Sequence, residues 1–239
     1  VKSREKEWCF EMWENFIGQQ IRRCNRNLLI ANIVLLCAVI TCAAMSAYYL
    51  ATEDGWWTLG IGSPFLLLAG WNLSKWKKRA RDYTCHPICK RLACFGTVEQ
   101  VIQQIEAAIL MNPVEKIAGV RLFGPWLFKP SILSLTCFYV PDLVWVYRKV
   151  TTHSVNFIPV GQSSEAVLYD RYGFSSTTQA RKRKVESLMT HIIQQCPWIV
   201  AGFSKDLENL WKSQRREFVA AVDERRKEFS KAAAASAGK

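Results

Sequence analysis

Histidine and acidic side chains are both scarce in this chain. It has 3 His, and 20 Asp plus Glu against 32 Lys plus Arg, for a formal net charge of +12 over 239 residues. His86, His153 and His191 fall on three different predicted elements, so no spacing sets a base beside a nucleophile. The sequence has no glycine loop of the kind that cradles phosphates and no His-Glu-x-x-His zinc helix. Asp142 and Asp170 stand where turns are expected, which suits them to turn chemistry rather than acid-base work. Cys85-His86-Pro87-Ile88-Cys89, with Cys94 beyond, lacks the second closely spaced pair that a structural zinc site uses. The expectation is therefore a protein that is not an enzyme, with no catalytic residue, no metal ligands and no cofactor.

Charge is also missing from two long stretches. Leu28 to Ala51 and Gly55 to Ser74 contain no Asp, Glu, Lys or Arg, and each is about as long as the roughly 20 residues that a helix needs to cross a hydrocarbon core. Only Thr52-Glu53-Asp54 separates them. The expected unit is a transmembrane hairpin, helix 1 over 28–51 and helix 2 over 55–74. Arg22, Arg23 and Arg26 precede the first stretch, and Lys75, Lys77, Lys78, Arg79 and Arg81 follow the second. Because Lys and Arg translocate poorly, both ends are expected on the cytoplasmic side. Tyr48, Tyr49, Trp56 and Trp57 near the hairpin turn, and Trp71 and Trp76 near the other exit, suit the headgroup level. Cysteines facing the cytoplasm are expected as reduced thiols.

Ahead of the spans, residues 1–27 read as an amphipathic helix carrying Trp8, Met12, Phe16 and Ile17. Behind them, 75–115 is a basic juxtamembrane segment plus a helix: Thr97-Val98-Glu99-Gln100 is a capping box, Pro113 marks the end, and Val98, Val101, Ile102, Ile105 and Ile109 supply the apolar stripe. From Ile117 to Gln179 short runs rich in β-branched and aromatic residues alternate with Gly and Pro. Strands are expected at Gly119 to Phe123, Trp126 to Lys129, Ile132 to Tyr139, Leu143 to Val150, Ser154 to Pro159, Glu165 to Asp170 and Phe174 to Gln179, in an antiparallel meander. Asp170-Arg171-Tyr172-Gly173 reads as a hairpin turn. A helix from Arg181 carries Val185, Leu188, Met189, Ile192 and Ile193 on one face, and a last one is expected from its N-cap Ser204 to about Phe229. The domain 116–198 is thus a β-domain with a closing helix, 199–231 a C-terminal helix, and 232–239 a disordered tail of small residues.

The element order, strands closed by one amphipathic helix, resembles a pleckstrin-homology-like (PH-like) domain. The overall class is an α+β membrane protein. Pro141-Asp142-Leu143-Val144-Trp145-Val146-Tyr147-Arg148-Lys149, Val155-Asn156-Phe157-Ile158-Pro159, Tyr169-Asp170-Arg171-Tyr172-Gly173 and Cys196-Pro197-Trp198-Ile199-Val200-Ala201-Gly202-Phe203-Ser204 resemble an uncharacterised bacterial family of two-pass membrane proteins. The resemblance implies the architecture and carries over no site. Function is then expected to be that of a membrane-anchored interaction or scaffold protein, or alternatively of an accessory subunit of a larger, even organellar, membrane complex. The excess charge has two homes, +6 in residues 75–96 and +6 in 181–239. Lys75, Lys77, Lys78, Arg79, Arg81, Arg181, Lys182, Arg183 and Lys184 are the expected contacts for anionic lipid headgroups or for a membrane or cytoplasmic protein partner. No module that reads nucleic acid is present, so none is expected as partner, and self-association is left open.

Overall fold

The computed structural model describes residues 15–49, 55–132, 134–155 and 158–237. The chain divides into two compact units, one formed by residues up to 98 with 131–135, the other by 99–130 with 136–239.

The first unit is built on helices α1 (Phe16–Tyr49) and α2 (Gly55–Arg81), which pack along each other. Among the described residues one helix, over Phe16–Ser46, is long and apolar enough to cross a membrane. The stretch 55–74 is helical as expected, within α2, and carries Pro64 in its interior. Among the described residues a single candidate span is therefore found, and the second expected span is not shown. Ile30, Ile33, Val34 and Ile40 of α1 and Leu66, Leu67 and Trp71 of α2 are exposed. Thr41 and Ser46 donate their hydroxyls to Cys37 O at 2.9 Å and Cys42 O at 2.8 Å, which keeps these polar hydrogens inside the helix. Asn32 is buried, and its side chain makes no hydrogen bond among the described residues.

The expected boundary at residue 27 is absent, and α1 runs straight through it. Ile17, Ile21, Cys24 and Leu28 are all buried. Their helical spacing makes one continuous stripe, so the polar residues before Leu28 occupy the other face and do not end the helix. Trp8 and Met12 of the expected amphipathic segment lie outside the described residues. After α2 come a 3-10 turn (Tyr83–Cys85) and the short α3 (Pro87–Leu92). Helix α4 then spans Val98–Met111, between the capping box and Pro113, with Val101, Ile102 and Ile105 buried.

The second unit holds two four-stranded sheets, ordered β1-β2-β3-β4 (Glu115–Ile117, Val120–Phe123, Trp126–Pro130, Leu135–Tyr139) and β7-β6-β5-β8 (Ser175–Ala180, Ile158–Asp170, Leu143–Val155, Val200–Ala201). The pairs β1–β2, β2–β3, β5–β6 and β6–β7 are antiparallel, and β8 lies parallel to its neighbour β5. Ala118 and Gly119 both have positive φ, the geometry that closes a two-residue hairpin. Helix α5 (Lys182–Gln195) lays Val185, Leu188 and Ile192 against Leu122, Leu127, Phe138, Val146 and Leu168 from the two sheets. That is the main core.

A second core forms on the opposite face of β5 and β6. Trp145, Tyr147 and Val167 pack there with Trp211 of α6 (Lys205–Ser213) and with Phe218 and Val222 of α7 (Arg215–Ala237). Strand alternation puts Trp145 and Tyr147 on this face and Val146 on the other. Strict alternation would put Val144 beside Val146, but it joins Trp145, because the register shifts between Leu143 and Trp145.

Other differences have local causes. The expected strand Ser154 to Pro159 straddles the end of β5 and the start of β6, two thirteen-residue strands that absorb three expected ones. Strands β1 and β8, of three and two residues, are too short to show a period. The last expected helix breaks at Gln214, whose φ of −132° and ψ of 44° are not helical, giving α6 and α7. Helix α7 continues to Ala237 where a disordered tail was expected; its terminal run is alanine, the best helix former.

Trp145 is fully buried among aromatic rings and donates Nε1–H to Gly202 O at 2.7 Å. Trp145→Ala should destabilise the domain by about 3–5 kcal/mol, measured by thermal or denaturant unfolding of the full chain in detergent. Destabilisation near zero would show that the ring is dispensable to the fold.

Candidate functional site

Two exposed basic surfaces stand out, one in each unit. In the first, α1 and α2 are joined by residues 50–54 and run side by side, so the start of α1 and the end of α2 lie at the same end. Gln19, Arg22, Arg23 and Arg26 line a surface groove of about 410 Å³ there. On the last turns of α2, Lys77, Lys78 and Arg81 are exposed and Arg79 is half-buried. Lys75 sits over the Trp71 ring at 3.4 Å, a cation–π contact that ties ammonium to indole at the end of the apolar stretch.

The second surface is the start of α5. Arg181, Lys182, Arg183 and Lys184 are all exposed. The N-cap Arg181 makes no side-chain capping bond, and the first turn holds no acidic residue. Four cations there oppose the helix dipole, whose positive end favours anions. Nearby cross-strand rows add charge that sequence reasoning missed. Lys149 is exposed, and Arg148 Nη1 donates to Glu186 Oε1 of α5 at 2.7 Å. Register places them: Lys149 faces Glu165, and Glu165 faces Gln179, one residue before Ala180 ends β7. The run Arg148-Lys149 was visible in sequence, but its closeness to Arg181 required the β5–β6–β7 pairing.

Polar side chains elsewhere serve the fold. Asp170 Oδ1 accepts from Tyr172 N at 3.0 Å and Phe174 N at 2.8 Å, building the expected turn, with Gly173 at a φ of +86°. A Cβ on Gly173 would meet the guanidinium of Arg215, so glycine also leaves space for that side chain. Arg171 bridges Asp142 and Asp223, and Tyr172 Oη donates to Asp142 Oδ2 at 3.3 Å. Asp142 and Asp170 are thus occupied by turn and ion-pair geometry. A small cavity of about 130 Å³ is bordered by Asn112, Glu115, His191 and Gln195, with His191 Nδ1 3.6 Å from Glu115 Oε2; among the described residues no Ser, Thr or Cys lines it. A surface groove of about 570 Å³ lies at the α6–α7 junction, bordered by Trp211, Lys212, Gln214 and Arg215. Earlier on α6, Lys205 and Lys212 bond Glu208 and hold its carboxyl down to about 2.

The Cys-His segment separates into independent roles. Cys85 donates its thiol to Asp82 Oδ2 at 3.3 Å, and that bond raises the thiol pKa above its ordinary value. Cys89 is buried, and Cys94 Sγ approaches Lys90 O at 3.8 Å. His86 is the N-cap of α3: its Nδ1 accepts from Ile88 N at 3.3 Å, while Nε2 has no partner among the described residues. Among the described residues no three His, Cys, Asp or Glu side chains are grouped to hold a metal ion.

Residues 101–211 match the model of a domain of unknown function (DUF6709). No curated protein and no solved structure matches the chain. The matched span covers most of α4, both sheets, α5 and most of α6. The match is consistent with an uncharacterised family.

Burial, with the Arg79 charge second, lowers the His86 pKa from 6.5 to about 4. The unfolded chain therefore takes up a proton below about pH 6.5 that the folded chain refuses until near pH 4. Stability present above pH 6.5 should be lost as pH falls from 6.5 to 4. His86→Asn, which keeps an N-capping side chain, should flatten that part of the Tm-against-pH curve. An unchanged slope would assign the acid sensitivity elsewhere.

Proposed function

We propose that this chain is a non-enzymatic, membrane-anchored interaction protein that presents a PH-like domain to anionic lipid headgroups and to a protein partner at the inner membrane surface. In this reading α1 and α2 are both spans and both chain ends are cytoplasmic. The carrying observation is the first unit's charge pattern. Bare leucine, isoleucine and valine faces cover the middle of the helix pair, and the arginines and lysines gather at one end. Exposed apolar surface of that extent is costly in water and favourable in lipid. Cations at a single end match the sidedness that translocation imposes. Two sheets around one core with an amphipathic helix packed on them support the PH-like description. The polar clusters occupied by turns, caps and ion pairs support a binding rather than a catalytic role.

Orientation is tested by labelling. A membrane-impermeant thiol reagent should reach a cysteine introduced at Thr52 or Gly55 from outside intact cells. Native Cys85 should react only after permeabilisation, and slowly at neutral pH because Asp82 raises its pKa. The reverse pattern would overturn the two-span topology.

Lipid docking is tested by charge reversal. In liposomes carrying the full chain, energy transfer from a fluorophore at the exposed Ser187 to headgroup-labelled lipid should increase when phosphatidylglycerol is included. It should decline with salt as the Debye length contracts from about 10 Å at 0.1 M to about 3 Å at 1 M. Changing Arg181, Lys182, Arg183 and Lys184 to Glu should remove most of the increase. Indifference to lipid charge at low salt would leave a protein partner as the ligand of this surface.

A further inference from the structure

We infer that the groove at the start of α1 is a binding site for the phosphate of one anionic phospholipid, whose acyl chains lie along the apolar continuation of the same helix face. The inference rests on the reading of α1 as a span, and it adds a site that the expected lipid contacts on α2 and α5 do not include. Gln19, Arg22, Arg23 and Arg26 line the groove, of about 410 Å³. Their spacing of three and four residues sets all four on one face of the helix. The three arginines are exposed, and α1 itself contains no Asp or Glu.

The same spacing continues past the arginines. Ile30, Ile33, Val34 and Ile40 follow on this face, and each is more than half exposed. The buried stripe of Ile17, Ile21, Cys24 and Leu28 runs along the opposite side of the helix, so the exposed face is not the one that packs into the unit's interior. From Ile30 to Ile40 the face rises about 15 Å at 1.5 Å per residue. That matches the hydrocarbon of one leaflet, half of the roughly 30 Å core. Arg26 stands one turn before Ile30, about 6 Å below it, which leaves room for a glycerol between phosphate and acyl chains.

Chemistry selects the ligand. A guanidinium gives two parallel N–H bonds to phosphate oxygens, and several on one face favour a headgroup of net negative charge over the zwitterionic one of phosphatidylcholine. Basic pockets at the cytoplasmic end of spanning helices bind anionic headgroups in this way. Free phosphate would engage the arginines and leave the isoleucine face bare, whereas a lipid engages both. A second copy of the chain, inserted with the same sidedness, would bring arginines against arginines along this face, and like charges oppose that pairing.

The test adds phosphatidylglycerol or phosphatidylcholine to the full chain in mild detergent and reads bound lipid by native mass spectrometry. One phosphatidylglycerol should stay bound per chain, several-fold more than phosphatidylcholine. Arg23→Gln with Arg26→Gln should abolish that adduct. Arg23→Lys with Arg26→Lys keeps the net charge and should still lose most of it, because an ammonium lacks the paired donors. Both variants should keep the Tm of the lipid-free chain, since the positions are exposed. Lys227→Gln with Lys231→Gln, on the exposed end of α7, removes as much charge and should change nothing. Full retention in the Lys variant, or an equal loss in the α7 variant, would reduce the groove to diffuse charge and overturn the site. Displacement of the lipid by excess inorganic phosphate would assign the groove to free phosphate, and a lipid-free dimer would make the face an interface between copies; either result overturns the lipid site. No preference for phosphatidylglycerol, with thiol labelling that confirms both spans, would overturn the site and leave the topology intact. Labelling in the reverse sense would overturn both.

Discussion

The first half of strand β5, Leu143 to Tyr147, is buried on both of its faces, and the second unit is arranged around that constraint. One face meets the opposing sheet and α5; the other meets a stack of aromatic rings. Trp145 lies 4.8 Å from Tyr147, 5.0 Å from Tyr169 and 5.9 Å from Phe218 between ring centroids, and its one polar hydrogen is taken by Gly202 O. Gly202 N in turn donates to Val146 O at 2.9 Å, so the chain after α5 is tied to β5 through both the Trp145 side chain and the Val146 backbone. Removing α6 and α7 would bare a large aromatic surface, so these helices are part of the domain's hydrophobic economy and not an appendage to it.

Much of the fold was legible where residues act locally. Helix α4 could be read from Thr97 and Pro113, the start of α6 from Ser204, whose Oγ accepts from Leu207 N at 3.1 Å, and the β6–β7 turn from Asp170 and Gly173. What escaped depends on partners distant in sequence. The strand β8 exists because the chain returns beside Trp145 and Val146, and two residues have no pattern of their own. The break at Gln214 falls inside a run whose apolar spacing looks helical throughout. The twist from Val144 to the aromatic face follows a register shift that the alternation of residue types does not announce.

The site was legible in its residues and not in its setting. All nine expected cations are where lipid or a partner can reach them except for the partial burial of Lys75 and Arg79. Sequence treated Arg181 to Lys184 as an isolated run at a helix start. Strand pairing places it in a band with Arg148 and Lys149. The charge was visible; its neighbourhood was a property of the sheet.

The far end of α7 has a mechanical consequence. Arg226 still touches the second unit, reaching Pro141 O at 3.5 Å and standing 5.2 Å over the Trp198 ring. From Lys227 to Ala235 every residue is exposed, and the helix nevertheless continues, about 14 Å of rod at 1.5 Å per residue. A rod transmits direction as well as distance. Anything joined to it is held off the domain at a bearing set by the Arg171–Asp223 clamp at its root, so a shift in the β6–β7 turn would swing the far end like a pointer.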